Sequence, residues 1–305
     1  MRTDVKTRRE TPLAYVERVN RAIDHVMSRL AEPLRLEEVS RAALLSPFHF
    51  HRVFQALVGS TLADFVKRMR LDKALTMMVH DRRASLTQIA LACGFSSPSD
   101  FSRSFKQRFG VAPSGFDLAS WQKEHRLKLE GLLPEPAHHL DRLPARANPD
   151  GFKARIRQLP ARTVAYIRVL NPYQNDGVVK AVHRLMAWAD RQGLGGNPWL
   201  GYQWENPEIV ALENCQYHVA VEAERFVAKG EIGRFQFPAM TVAEVEIRGG
   251  IDLELRALQW LYGTWLPRSG YVPDDQPGFE AWIGRPFAHG MEHFEVRVQL
   301  PIRPG

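Results

Sequence analysis

The sequence predicts a multidomain protein of two fold classes in series, α and then α+β. An all-α tandem helix-turn-helix domain comes first, followed by a duplicated βαββ domain. Three observations predict this. Hydrophobic residues recur with a helical period from residue 12 to 121, whereas β-branched, partly alternating segments dominate after residue 152. "SPFHFHRVFQALVG" (46–59) and "GFSSPSDFSRSFKQRFG" (94–110) share one skeleton about fifty residues apart. "LPARTVA" (159–165) returns as "FPAMTVA" 78 residues later.

A chain of 305 residues suits two domains, each with its own core. The composition, 45% hydrophobic and 25% charged, is that of a globular protein, and no apolar run reaches the ~18 residues of a membrane span. The basic start "MRTDVKTRRETP" lacks the apolar core of a secretory signal, so a cytoplasmic protein with no membrane partner is expected. Cys93 and Cys215 are too few and too far apart for a disulfide framework or a CxxC metal site, and are expected buried and reduced. Charge is uneven. Residues 1–128 hold 22 Lys+Arg against 13 Asp+Glu, a net of +9, and residues 129–305 hold 19 against 21, a net of −2. A basic front half points to a polyanionic partner, with double-stranded DNA the first choice.

The front half reads as helices joined by tight turns. Val16, Val19, Ile23, Val26 and Leu30 mark an amphipathic helix that ends before Pro33. A short helix follows over Leu36–Leu44, then one starting at Ser46, then a longer one from Thr61 to about Val79, opened by Thr61 and Asp64 as a capping pair. Leu86–Cys93 and the helix after Ser97 complete the set. Residues 122–151, rich in Pro and Ala, read as a linker between domains at 12–121 and 152–303. "ARTVAYIRV", "QYHVAVEA", "AMTVAEVEI" and "HFEVRVQLPI" are strands, with helices near 178–192 and 252–265.

In the first repeat, Ser46-Pro47 matches Ser97-Pro98: an N-cap serine, then proline at the first helical position, where its missing N–H costs nothing. At this offset of 51, Phe50, Arg52, Phe54 and Gly59 match Phe101, Arg103, Phe105 and Gly110. Upstream, at 50, Leu36, Val39 and Ala42 match Leu86, Ile89 and Ala92. Each unit is therefore helix, turn, helix. At 100° per residue Phe50, Val53, Phe54 and Leu57 point to the core, and Phe48, His51, Arg52 and Gln55 point away. In the second copy Phe101 and Phe105 go inward, and Ser99, Ser102, Arg103 and Lys106 outward. In the helix-turn-helix plan the second helix enters the major groove, where Arg pairs with guanine O6 and N7 and an apolar ring covers a thymine methyl. Two units joined by a helix let one chain read two successive groove segments. Arg68, Lys73 and Lys106 are expected on phosphates. His49 and His51, at i and i+2, share no helix face, and neither they nor His138-His139 suggest a metal site.

Residues 16–116 resemble the AraC/XylS-type DNA-binding domain, most specifically through "IALACGFSSPSDFSRSFKQRFGVAPSGF" (89–116) with its closing G-x-x-P. The resemblance implies base and phosphate contacts at Phe48, His51 and Arg52 in the first unit, and at Pro98, Ser99, Asp100 and Arg103 in the second. Gln55 and Lys106 join them by sharing those faces.

The second repeat aligns Gly201-Tyr202-Gln203 with Gly278-Phe279-Glu280 and Tyr217–Val221 with Phe294–Val298, both at 77. Two βαββ units related by a pseudo-twofold leave a cleft between them. Tyr202, Trp204, Trp260, Tyr262 and Trp282 cluster around the matching segments, with Glu280 among them. A carboxylate in an aromatic box suits an apolar cation, and these six residues are the expected ligand contacts. Residues 152–302 resemble the GyrI-like effector-binding domain, which in this position implies a Rob-like arrangement: a ligand-responsive transcription regulator, not an enzyme and without a cofactor, with RNA polymerase a further partner. The alternatives are a back domain that hydrolyses a small molecule with Glu280 activating water, or one that binds a protein.

Overall fold

The structure, a computed structural model, describes residues 12–81, 83–131, 148–290 and 292–305. The pair His138-His139 lies outside the described residues. Helix α1 (Pro12–Met27) buries Val19, Ala22, Ile23 and Val26 against α2 (Leu36–Ala42) and α3 (Pro47–Val58). Extended Ser46 accepts the His49 N–H at 3.4 Å, and α3 stops at Gly59 with φ 79°. The second unit repeats the device. After α5 (Leu86–Ala92), Ser97 accepts the Asp100 N–H at 3.1 Å to open α6 (Pro98–Phe109), which stops at Gly110 with φ 81°. In α3 the expectation for Leu57 fails: it is exposed, and Val58, one turn on from Phe54, takes the inward position in the last turn.

Helix α4 (Leu62–His80) joins the two units and belongs to both cores. Its first half gives Leu62, Phe65, Val66 and Met69 to the α1–α3 core, and its second half gives Leu71, Ala74 and Leu75 to the α5–α6 core. Nineteen residues at about 1.5 Å each make a rod about 28 Å long. Beyond it, α7 (Leu118–Glu130), capped by Asp117, carries helix through the first nine residues read as linker. It is held there because Trp121 packs on Phe109 and Phe116 and donates its indole N–H to the Ile209 carbonyl at 2.8 Å.

The back half is one nine-stranded antiparallel sheet: β1 (Arg155–Leu159), β2 (Arg162–Leu170), β3 (Trp199–Gln203), β4 (Gln216–Glu222), β5 (Gly233–Phe237), β6 (Met240–Gly249), β7 (Tyr271–Pro273), β8 (Gly278–Trp282) and β9 (Phe294–Pro304). The order β1-β6-β9-β8-β3-β4-β2-β5, with β7 added on β9, reads alike from both ends. The duplicated units meet at β3 and β8, and they exchange leading strands, β1 pairing with β6 and β5 with β2. On one face Ala165, Ile167, Val219 and Val221 pack on α8 (Gly177–Arg191), and Val245, Val296 and Val298 pack on α9 (Ile251–Trp260). Helix α9 runs on as a π-helical stretch, Leu261–Trp265. The other face holds Val164, Tyr166, Tyr202, Phe235, Phe237 and Phe279.

The two halves dock through a buried polar junction. From β2, Arg168 reaches Asp24 of α1 at 2.7 Å and also the Asn20 side chain, while Tyr166 donates to Asp24 at 2.6 Å. Elsewhere along the contact, Ile209 is buried in the α5–α6 core and Arg126 pairs with Glu208 at 2.9 Å. Cys93 and Cys215 are free and buried. Among the described residues no helix is long and apolar enough to cross a membrane, and no group of three His, Cys, Asp or Glu could hold a metal ion.

Candidate nucleic-acid and effector sites

Both outward helix faces are open. Phe48 is 75% exposed, unlike the buried Phe50 and Phe54 of the same helix, with the Arg52 guanidinium 5.9 Å above it. His51 and Gln55 are exposed beside them. On α6, Pro98, Ser99, Ser102, Arg103 and Lys106 are exposed, and Asp100 is half-buried, accepting from the Ser96 hydroxyl at 3.0 Å while its own N–H goes to the cap. Asp100 is thereby tied to the helix start, whereas Arg52 and Arg103 are at the surface. Of the expected phosphate contacts, Lys106 is exposed but two face the back half. Lys73 is paired with Asp275 at 2.6 Å, and Arg68 lies over Phe65 and donates to the Asn214 carbonyl at 3.3 Å. Helical phase placed both on α4; only the docked sheet shows which side of α4 it covers.

The second site lies where β3 meets β8 under α9. Glu280 sits opposite Gly201 in the strand pair and accepts a hydrogen bond from the Tyr217 hydroxyl. It also hydrogen bonds Glu254, a buried residue in the first turn of α9. Burial, and then the neighbouring Glu280, push the Glu254 carboxyl well above the usual carboxylate range, and burial raises Glu280 too. Two carboxyl groups in contact cannot both ionise cheaply away from water, so the pair favours holding a proton. Gln203, the repeat partner of Glu280, accepts from Tyr173 at 3.1 Å, and its side-chain N–H₂ has no partner among the described residues. Gly201 is required: a Cβ there would collide with the Tyr217 hydroxyl and lie 2.8 Å from Glu280. Gly201→Ala should cost about 1–3 kcal/mol by overpacking, read by denaturant unfolding, and should break the Tyr217–Glu280 contact.

Strand parity separates the expected ligand contacts. Trp282, two residues from Glu280, shares its face and packs on Phe287 and Phe294. Tyr202 pairs with Phe279 and not with Glu280, so it and Trp204 point through the opposite face, where Tyr202 stacks on His218 at 4.4 Å. Trp260 packs against Phe152 in the α9 core, and Tyr262 stacks on His80 of α4 at 4.1 Å. The aromatic box around Glu280 is therefore replaced by Trp282, Tyr217 and Tyr173. Tyr217 and Glu254 were missed by sequence reasoning, although the odd–even alternation in "QYHVAVEA" carried the signal for Tyr217.

Two family models match the chain: a helix-turn-helix domain over residues 39–118 and a GyrI-like small molecule binding domain over residues 152–303. The back half is 30% identical over 161 residues to a protein named DNA gyrase inhibitor from Edwardsiella piscicida, covering 50% of this chain and 99% of that one. The front half is 32% identical over 85 residues to "Probable transcription factor PqrA" from Proteus vulgaris, covering 28% of this chain and 69% of that protein. The chain belongs to the AraC-type family with a C-terminal GyrI-like domain. This AraC-type chain is also 33% identical over 105 residues to "Probable transcriptional regulator LumQ" from Photobacterium leiognathi. That match covers 34% of this chain and 42% of LumQ, so the chain spans well under half the length of that curated relative. In the AraC-type half the matched region contains both outward helix faces, and in the GyrI-like half it contains Tyr217, Glu254 and Glu280.

Proposed function

We propose that this chain is a sequence-specific DNA-binding transcription regulator whose GyrI-like domain binds a small cationic or amphipathic effector. The observation that carries it is the pair of open, N-capped helix faces, Phe48–His51–Arg52–Gln55 and Ser99–Arg103–Lys106, on helices locked to one rod by α4. Because the skeleton is duplicated and the faces differ, the two units read different bases on an asymmetric site. Arg52 and Arg103 make the base contacts, with Phe48 suited to a thymine methyl. Pro98 and Ser99 lie at the groove floor end of α6, Asp100 holds the helix start, and Lys106 meets phosphate. The effector is bound beside Glu280, where it takes the place of the proton on the carboxyl pair.

The test is selection of bound DNA from a random pool, followed by titration of the selected site. Arg103→Ala should weaken that site by about 1–3 kcal/mol and relax one or two positions of it, leaving binding to unrelated DNA nearly unchanged. Lys106→Ala should weaken all sequences alike and lower the salt slope by about one. An Arg103→Ala protein that binds the selected site as tightly as the parent would sink the direct-readout assignment.

A further inference from the structure

The seam between the two halves is not closely packed. A cavity of about 200 Å³ lies between α1, α4 and the loop after β3, and it adjoins two others of about 270 and 560 Å³ along the same seam. The 200 Å³ cavity has an unusual wall. Met27 of α1 and Met69 and Met77 of α4 line it, with Trp204 across from them. Thioether side chains are unbranched and polarisable and accommodate varied apolar shapes, and an indole face attracts cations.

Two carboxylates stand in this wall. Asp72 of α4 is 3% exposed, and Glu205 after β3 is 5% exposed. One Asp72 oxygen accepts from Arg108 at 3.0 Å, and the other, Oδ2, is buried without a hydrogen-bond partner among the described residues. Glu205 accepts from the Gln216 N–H at 3.3 Å through one oxygen. Burial pushes Asp72 up to about 6 despite Arg108 and Arg68, and Glu205 up to about 7 despite Arg68. The remaining charged lining residues are Asp81, Asp274 and Asp275 against Lys73 and Arg303, and Lys73 is taken by Asp275. An orphaned buried carboxylate oxygen is costly and calls for a donor. Among the lining residues carboxyl groups thus outnumber cationic side chains, and apart from Thr76, His80 and Gln276 the remainder is apolar.

We propose that this cavity is a second ligand site, separate from Glu280, that takes a small organic ammonium with a single-ring or short-chain apolar body. The ammonium donates to Asp72 Oδ2 and to Glu205, and the body lies among Met27, Met69, Met77 and Trp204. The volume holds about six or seven waters at roughly 30 Å³ each, room for one ring and its side chain. Both halves of the chain supply walls: α1 and α4 from the DNA-binding half, Trp204 and Glu205 from the effector half. An occupant of this site bridges the two domains, which an occupant beside Glu280 does not.

Phenethylammonium is the probe and 2-phenylethanol its uncharged counterpart, titrated calorimetrically into full-length Glu280→Gln protein so that the first site is weakened. The ammonium should bind this protein at least 10-fold more tightly than the alcohol. Adding Asp72→Asn or Glu205→Gln should weaken it at least 10-fold more. Because those variants touch the domain seam, a second measurement uses the parent chain. With methyl-labelled methionine, the NMR signals of Met27, Met69 and Met77 should shift on saturation with the ammonium. Unmoved methionine signals, equal affinity for the alcohol, or affinity unaffected by both carboxylate variants would each overturn the site.

Discussion

Arg168→Ala should destabilise the full chain by about 3–5 kcal/mol in denaturant unfolding, because it strips one partner from a buried ion pair. Its side chain is 5% exposed, and each of its nitrogens has a partner: Asp24, the Asn20 side chain, and His218 Nε2 at 3.0 Å. Without it, the Asp24 carboxyl keeps only the Tyr166 hydroxyl among the described residues. Burial already pushes the Asp24 carboxyl up to about 6 against the pull of Arg168. A group raised above its ordinary 3.8 favours the fold in its neutral form. That contribution is complete below pH 3.8 and is lost as pH rises through about 6. Removing Arg168 raises Asp24 further and carries the loss to higher pH, so the variant's deficit should be larger at pH 8 than at pH 5. The paired change Asp24→Asn with Arg168→Met should recover much of the loss, since it leaves no buried charge unanswered. A single variant within 1 kcal/mol of the parent at pH 8 would show that the halves do not dock through this pair.

The same junction adjoins the Glu280 site through one strand. Tyr217 and His218 are consecutive on β4 and face opposite ways. Tyr217 donates to Glu280 on one side, and His218 accepts from Arg168 on the other. Burial and the adjacent Arg168 hold His218 well below the usual histidine range, so it is neutral with its proton on Nδ1. Strand alternation thus puts the partner of the Glu280 carboxyl and the partner of Arg168 on adjacent residues of β4.

What the sequence made legible was local. Ser46 and Ser97 as caps, the prolines after them and the i, i+4 phenylalanines each act within one or two turns, and all appear as read; the matched Gly59 and Gly110 turn out to be the helix stops. The βαββ duplication was equally visible, but an alignment of two units does not say which unit a leading strand pairs with, and β1 and β5 pair across. Tyr202 and Trp204 were grouped with Glu280 by nearness in sequence, and parity put them on the other face. Asp24 and Arg168 are 144 residues apart and carry no pattern of their own; only docking brings them together. Helix α7 occupies residues read as linker because Trp121 finds a partner in Ile209, again a contact with the other half.

The two helix-turn-helix turns make the second large prediction, since they use one backbone shape with different residues. Leu44 and Gly94 are matching positions, and both are left-handed, with φ 56° and 83°. Leu44 is 62% exposed, so its side chain has room and only the backbone conformation is unfavourable. Gly94 has no such room. A Cβ there would stand 2.7 Å from the Leu30 carbonyl oxygen and 2.9 Å from the Ala31 backbone, at the end of α1. That stretch cannot move aside, because Arg70 of α4 donates to the Leu30 carbonyl at 2.9 Å and to the Glu32 carbonyl at 2.7 Å. Gly94→Ala must therefore accept both the left-handed strain, about 1–2 kcal/mol, and a backbone collision. A total loss of about 3 kcal/mol or more is expected in unfolding of the full chain. Leu44→Gly relieves the same strain in the first unit at the cost of chain entropy, and should change stability by less than about 1 kcal/mol. Equal losses at the two positions would mean that the close approach of the second turn to α1 does not hold the helical units together. The expected contrast makes Gly94 a second place, beside the shared helix α4, where the second unit is fixed against the first.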